Sequence, residues 1–446
     1  MSDDSTRSEE SFPSTGRKRA QIAAVTGLKI GANYARYLAR RTVGAGDAAA
    51  ERRELHDRNA HDLFDELTKL RGTALKLAQG LSMDLGVLPE EFITVLSRAQ
   101  YQVPSMGFPL VRRLVKQGLG KYPEDVFASF DAQAVAAASL GQVHRATLKD
   151  GRDVAVKVQY PNVRESIDAD LRVVRGIAQR VVGSHSVDPY LDEVRDRLRE
   201  ETDYENEGRN IEFFAEQYHS EHVLTPRWIP EYTVKTVLVM TFVEGRHLDE
   251  FLSSDPSQEV RDAFGQLLWD FVHDQVAADH LTVHADAHPG NFLFRDDGRL
   301  GLLDFGCVKR FPRAFRDDLL RMFKARLDED PTALAEQYRA LEIVRPGLDE
   351  EQRRFLMSLL EDLGRIAVSP YRVDSFDFGE GSMLTDLHRL MPRLTGRDAF
   401  RNREPVGSPQ FVYVNRLLAG MLSILTRLAA RVDVRRGRAL LLQAVV

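Results

Sequence analysis

Two neighbouring stretches of the sequence carry the residue types from which phosphoryl-transfer chemistry is built. In VHADAHPGNFLF, Asp286 and Asn291 stand five apart, and in the following LGLLDFGCV, Asp304 precedes Phe305 and Gly306. Moving a phosphoryl group needs one carboxylate to orient or deprotonate the attacking oxygen. It also needs an amide and a second carboxylate to hold a magnesium ion against the phosphates. Asp286 is therefore the candidate base or orienter, and Asn291 and Asp304 are the candidate ligands of Mg2+. Upstream, VAVKVQYP places Lys157 among alternating valines, on a strand from which its ammonium can meet the α- and β-phosphates of ATP.

The order H-x-D-x-x-x-x-N followed by D-F-G is that of a kinase catalytic loop and metal loop, with Ala285 where Arg is usual. A lysine in this role needs a carboxylate partner on the following helix. The apolar spacing predicts one long helix over 191–218, with Leu198, Tyr204, Ile211, Phe214 and Ala215 on its packed face. On that helix Glu201 and Glu207 fall at the two edges, about 60° either side of Tyr204. Glu207 is the first choice for the Lys157 ion pair and Glu201 the second. The hairpin turn expected over the nucleotide reads AVAAASLGQVH, in which only Gly141 is a glycine. Backbone N–H groups cradle phosphates whatever the side chain, so Ala136, Ala137, Ala138, Ser139 and Gly141 are candidate nucleotide contacts. The alanines bar positive φ and make the loop stiffer than a glycine-rich one. Glu244, where the chain leaves the strand expected within 232–242, is a further candidate contact. His288 stands where many kinases carry a lysine on the γ-phosphate. His284 reads as orienting the loop, and Cys307 as a packing residue with nothing nearby to lower its pKa.

The rest of the chain must position these groups. With 446 residues, 43% hydrophobic and 29% charged, it has the composition of an ordinary soluble globular protein, long enough for two or three domains. A net charge of −6 gives no reason to expect nucleic-acid binding, and a single cysteine excludes an internal disulfide. Even the most apolar stretch, 417–426, lies between Arg416 and Arg427, so no membrane span is expected. The acidic, polar start argues against a secretory signal, and the cytoplasm is the expected location. Residues 1–19 read as a disordered tail. Residues 20–41 read as a short basic amphipathic helix that packs on its own protein or lies on an anionic membrane surface. Helices are expected over 47–125, and strands over 143–148 and 153–159 around the turn 149–152. The final 140 or so residues show only a helical core stripe, Val414, Leu417, Leu418, Met421, Leu425 and Leu428.

Taken together, AAASLGQVH, VAVKVQYP, ETDYENEGRN and HADAHPGN with DFG resemble the AarF/UbiB atypical kinase-like family, over about residues 63–310. The resemblance implies an α+β, two-lobed protein-kinase-like fold with an N-terminal helical extension and a mostly helical C-terminal lobe. In domain terms this is a tail (1–19), the extension (20–130), an N-lobe (131–245) and a C-lobe (246–446). It also implies that the first acid of E-x-D, Glu201, faces an extension helix bearing K-x-G-Q. Here that signature is RGTALKLAQGLS, with Lys76 and Gln79 in place and Ala78 for the glycine. Lys76 and Gln79 would share one helix face over the nucleotide pocket and obstruct a bulky peptide.

An independent absence agrees with this. DFGCVKRFP runs within a few residues into the helical pattern AFRDDLLRMFKARL, and no A-P-E occurs anywhere. Peptide phosphorylation is thus disfavoured. The resemblance implies magnesium-dependent ATP binding and hydrolysis in support of isoprenoid-quinone or other lipid metabolism at a membrane surface. A quinone precursor or lipid is then the expected further ligand. Two other readings stay open: an ATP-binding regulatory pseudokinase with little turnover, and a phosphotransferase of the aminoglycoside or choline kinase type.

Overall fold

The computed structural model describes residues 105–138, 140–182, 188–344, 346–395 and 410–445, together with Asn33, Leu55, 57–62 and Ser408. The expected tail, all of the expected helix over 20–41 except Asn33, and Lys76, Ala78, Gln79 and Ser139 lie outside the described residues. Contacts divide the chain into two compact units. One takes the described parts of Met1–Glu205 and Glu231–Val239, the other those of Asn206–Pro230 and Met240–Val446. The chain therefore changes unit at 205/206, 230/231 and 239/240.

In the first unit, α1 (Phe108–Leu119) has Pro109 in its first turn and buries Val111 and Val115. It ends at Gly120, whose φ of 75° suits a residue without a Cβ and whose N–H caps the Lys116 carbonyl. After the single turn α2 (Pro123–Val126) comes a sheet built from β1 (Phe127–Phe130), β2 (Ala136–Ala138), β3 (Gly141–Leu148), β4 (Asp153–Gln159) and β6 (Val237–Thr241). The intervening β5 (Val223–Leu224) belongs to the second unit. The order is β1-β3-β4-β6, with β2 sharing the β1 edge of β3. The alanine run, which composition alone would make a helix, is a strand: Ala136, Ala137 and Ala138 pair antiparallel with Val143, Gln142 and Gly141. The turn 149–152 joins β3 to β4 as its residues require, with Gly151 at φ 90°. Alternation along β4 sends Val154, Val156 and Val158 to one face and Ala155, Lys157 and Gln159 to the other, and both faces are buried.

Helices α3 (Val163–Val182), α4 (Asp188–Glu201) and α5 (Tyr204–Tyr218) follow. The single helix expected over 191–218 is thus broken at Thr202-Asp203. Tertiary partners replace the helical ladder there. Gln159 Nε2 donates to the Thr202 carbonyl at 3.1 Å, and the Tyr204 N–H turns to the Lys235 carbonyl at 3.2 Å. Glu201 consequently sits in the last turn of α4 and Glu207 in the first turn of α5, and the 60° relation expected on one helix does not hold. The segment expected as strand over 232–242 is extended only from Val237. It opens with a 3-10 turn at Pro230–Tyr232 and a tight Val234–Val237 turn.

The second unit contains most of α5, then α6 (Leu248–Ser253) and α7 (Gln258–Ala277). Two small sheets carry the loops: β7 (Thr282–His284) with β10 (Val308–Arg310), and β5 with β9 (Leu300–Leu302) and β8 (Phe292–Phe294). Helices α8 (Arg313–Leu327), α9 (Pro331–Ala340), α10 (Glu350–Val368), α11 (Ser382–Thr395), α12 (Phe411–Leu428) and α13 (Arg435–Gln443) complete it, with β11 (Ser375–Asp377) paired to β12 (Arg431–Asp433). Its core centres on Trp269, Phe264, Leu268, Phe294, Leu425 and Val432, all nearly fully buried. Of the apolar stripe expected near the C-terminus, Leu417, Met421, Leu425 and Leu428 are buried and Val414 and Leu418 half-buried.

Candidate active site

In the second unit the two loops that carry the acidic residues are tied by short, specific hydrogen bonds. The antiparallel pairing of Val308 with His284 brings the chain before Asp286 alongside the chain after Gly306. Asn291 Nδ2 donates to the Asp286 carbonyl at 2.9 Å, and the Leu303 N–H donates to the Asn291 carbonyl at 2.8 Å. His284 is 1% exposed; its Nε2–H faces the Leu303 and Asp304 carbonyls at 3.2 and 2.8 Å. Both partners are acceptors, which fixes the tautomer and makes His284 the orienting residue its position suggested. Asp304 lies in the left-handed region at φ 53°, and its Oδ1 accepts the Gly306 N–H at 3.0 Å. Asp286, Asn291 and Asp304 are half-buried.

Phe305 anchors this arrangement. It is fully buried, lies edge-on to His284 at 5.4 Å and packs on Phe214 at 5.3 Å. From the same α5, Asn210 Nδ2 donates to the Phe305 carbonyl at 3.0 Å. Asn210 stands in the ETDYENEGRN motif, but nothing in its local spacing pointed to a contact 95 residues away. Glu207, on the first turn of α5, is 2% exposed. His288 uses Nδ1 to accept the Gly290 N–H at 3.1 Å, capping the 3-10 turn Pro289–Asn291. Glu244 is exposed and its carbonyl accepts from Arg295. Cys307 is buried, in keeping with a packing role.

The first unit holds the remaining candidates. Lys157 on β4 is 5% exposed, and its ammonium lies over the Tyr204 ring at 5.2 Å. A ring face is favourable for a cation withdrawn from water. Gly141 is required by close approach: a Cβ there would stand 2.3 Å from the Val158 carbonyl oxygen and 2.8 Å from the Tyr204 hydroxyl. Tyr204 thus touches both the base of the alanine hairpin and the lysine, a role the sequence showed only as one more apolar position. Ala136 and Ala137 are exposed, Ala138 half-buried, and Glu201 7% exposed.

The hairpin is tethered from behind by the two polar residues that follow Gly141. Gln142 Oε1 accepts the Met106 N–H at 2.7 Å, and its Nε2 faces His144 Nε2 at 2.8 Å. His144 Nδ1–H in turn donates to the Asp131 carbonyl at 2.8 Å. Burial holds the His144 imidazole below its ordinary pKa, which keeps Nε2 an acceptor for the Gln142 amide. Among the described residues no group of three or more His, Cys, Asp or Glu side chains could hold a metal by itself. Asn291 and Asp304 are the residues that would hold a magnesium ion, which takes its other oxygens from phosphates and water.

One residue of the site was missed altogether. Arg416, on α12, donates to Asp286 Oδ1 at 2.8 Å, with both side chains less than one-fifth exposed. In the sequence it stands out only as a charge bounding an apolar stretch.

Comparison with known proteins gives the family of the chain. Residues 98–338, more than half of the chain, match the family model of the ABC1 atypical kinase-like domain. The chain is 35% identical over 283 residues to the Arabidopsis thaliana protein ACTIVITY OF BC1 COMPLEX KINASE 8, chloroplastic, a match covering 60% of this chain and 36% of that one. It is 32% identical over 328 residues to AarF domain-containing protein kinase 1 of Xenopus tropicalis, covering 71% and 62%. The chain thus spans between about a third and two thirds of the length of these curated relatives. Among solved structures, the complex of Rv3197 with erythromycin from Mycobacterium tuberculosis superposes with a TM-score of 0.59 at 27% identity, over 88% of this chain and 97% of that one. With its α+β, kinase-like fold, the chain belongs to the ABC1 atypical kinase-like family, the AarF/UbiB group that its motifs resemble.

Proposed function

We propose that the protein is a magnesium-dependent, ATP-binding atypical kinase or ATPase that serves isoprenoid-quinone or other lipid metabolism at a membrane surface. The observation that carries this reading is the tie between the two loops of the second unit, in which Asn291 donates to the Asp286 carbonyl and His284 to that of Asp304. That is the arrangement in which one carboxylate can meet an acceptor while an amide and a second carboxylate hold Mg2+ on the phosphates. Lys157, withdrawn from water, is the candidate phosphate ligand, with Glu207 or Glu201 as its ion-pair partner. The alanine hairpin, Glu244 and His288 would contact the nucleotide, and Lys76 and Gln79 would stand over it.

A small acceptor rather than a peptide is favoured by the chain after D-F-G. Residues 308–310 pair as β10 and helix α8 already begins at Arg313, so little chain is left for a peptide platform. A bulky apolar compound as second ligand is in keeping with the erythromycin complex of the neighbour of known structure. Attachment to the surface would fall to the basic segment 20–41.

The test is ATP turnover with and without magnesium, in the presence and absence of anionic liposomes, for the parent and Asp304→Asn. The reading requires magnesium-dependent release of phosphate or transfer to an acceptor that Asp304→Asn abolishes. Equal turnover by the two proteins would sink the metal assignment.

A further inference from the structure

Asp286 is reached by a charge from 130 residues further along the chain: Arg416 Nη2 donates to its Oδ1 at 2.8 Å. The helix that delivers this guanidinium rests directly on the catalytic loop. A Cβ at Gly420, one turn beyond Arg416, would lie 2.3 Å from the Ala287 carbonyl oxygen and 2.8 Å from the Ala287 Cβ, a separation only glycine allows. Around this seat Tyr413, Leu417, Met421 and Ile424 bury the rest of the helix face.

Partly exposed ion pairs contribute little to stability, so stability alone is a weak reason to bring a helix this close to a reactive loop. Geometry is a better one. Arginine presents a rigid fork of donors that holds a carboxylate in one orientation, where a lysine offers a mobile point charge. A base that must meet an acceptor hydroxyl within hydrogen-bond reach loses rate when its rotamer wanders.

We propose that Arg416 is a positioning residue for phosphoryl transfer: it fixes the orientation of the Asp286 carboxylate, and so makes catalysis depend on the docking of α12. The proposal rests on the reading of Asp286 as base or orienter. In the step it serves, the acceptor O–H gives its proton to the Asp286 carboxylate, the acceptor oxygen bonds to the γ-phosphorus, and the bridging oxygen leaves with ADP.

The test measures kcat, the KM for ATP and the affinity for a fluorescent ATP analogue in the full chain, for the parent, Arg416→Met, Arg416→Lys, Asp286→Asn and the double variant Asp286→Asn/Arg416→Met. For Arg416→Met, kcat falls by about 10- to 100-fold while KM and nucleotide affinity stay within about twofold, because only positioning is lost. Arg416→Lys recovers part of the loss, and the double variant is no slower than Asp286→Asn, since Arg416 acts through that carboxylate. A kcat at the parent level, or losses that multiply in the double variant, overturns the proposal. Retained nucleotide affinity reports that each variant is folded; if Arg416→Met does not fold, Arg416→Lys carries the same reading. A parent without magnesium-dependent turnover would instead defeat the functional reading itself.

Discussion

The backbone of Asp304 stands in a region that costs a residue with a Cβ about 1–2 kcal/mol. It is held there by the His284 imidazole on its carbonyl and by its own carboxylate on the Gly306 N–H. Strain of this kind, bracketed by fixed hydrogen bonds, aims a carboxylate in one direction. Asn291 works similarly, since its amide holds the Asp286 carbonyl. Replacing it with Leu leaves that carbonyl without its donor, and the expected loss is about 1–3 kcal/mol in urea unfolding, together with loss of turnover. A second residue-scale expectation concerns pH. His273 is almost fully buried, with Nδ1–H on the Trp269 carbonyl at 2.6 Å and Nε2 accepting from the Tyr371 hydroxyl at 2.7 Å. Burial pushes its pKa down to about 4, and Arg436, itself paired with Asp270 and Asp274, pushes in the same direction. A group whose pKa is lowered on folding binds fewer protons in the folded state. Its contribution is therefore complete above the unfolded value near 6.5 and is lost as pH falls from there toward 4. Stability should drop by about 3 kcal/mol across that window through this residue. The double variant His273→Leu/Tyr371→Phe, which removes both polar partners, should flatten the slope; an unchanged slope would refute the assignment.

At the scale of elements, the two catalytic loops are short and their positions are set by what packs behind them. Helix α12 is the clearest case, because Gly420 and Arg416 lie one turn apart and meet consecutive residues of the catalytic loop. Gly420→Ala should lift the helix from Ala287, lowering kcat about tenfold or more while nucleotide affinity is kept; parent-like kcat in a folded variant would show that the seat is not needed. The alanine hairpin is a second case. Gln142 is 1% exposed and bonds both polar groups of Met106, at 2.7 and 3.3 Å. Gln142→Ala orphans these groups and should destabilise the first unit by about 1–3 kcal/mol, read as an earlier unfolding transition, with weaker ATP binding.

For the whole molecule, the decisive question is where the chemistry takes place. No described helix is long and apolar enough to cross a membrane. Under the proposed function the basic segment 20–41 would bring the chain to its lipid-phase substrate at the membrane surface. Deleting that segment should abolish co-sedimentation with anionic liposomes at low salt while leaving soluble ATP turnover intact; undiminished co-sedimentation would remove the segment from the membrane role. Surface attraction of this kind weakens with ionic strength, so binding by the parent should also fall at high salt.

What the sequence determined by itself was local: the spacing of Asp286, Asn291 and Asp304, the turn at 149–152, Lys157 on its strand, and the short passage from D-F-G into a helix. Each is written in a few consecutive residues, where the geometry of one loop or strand dictates which side chains can act together. Tertiary structure alone decided the break at Thr202-Asp203, the Tyr204 ring beneath Lys157, the hold of Gln142 on Met106 and the reach of Arg416 to Asp286. These partners are separated along the chain by between 36 and 130 residues. A contact of that range leaves no periodic trace, because any number of polar residues could be drawn to the same place; only the packing of the helices and strands that carry them selects the pair.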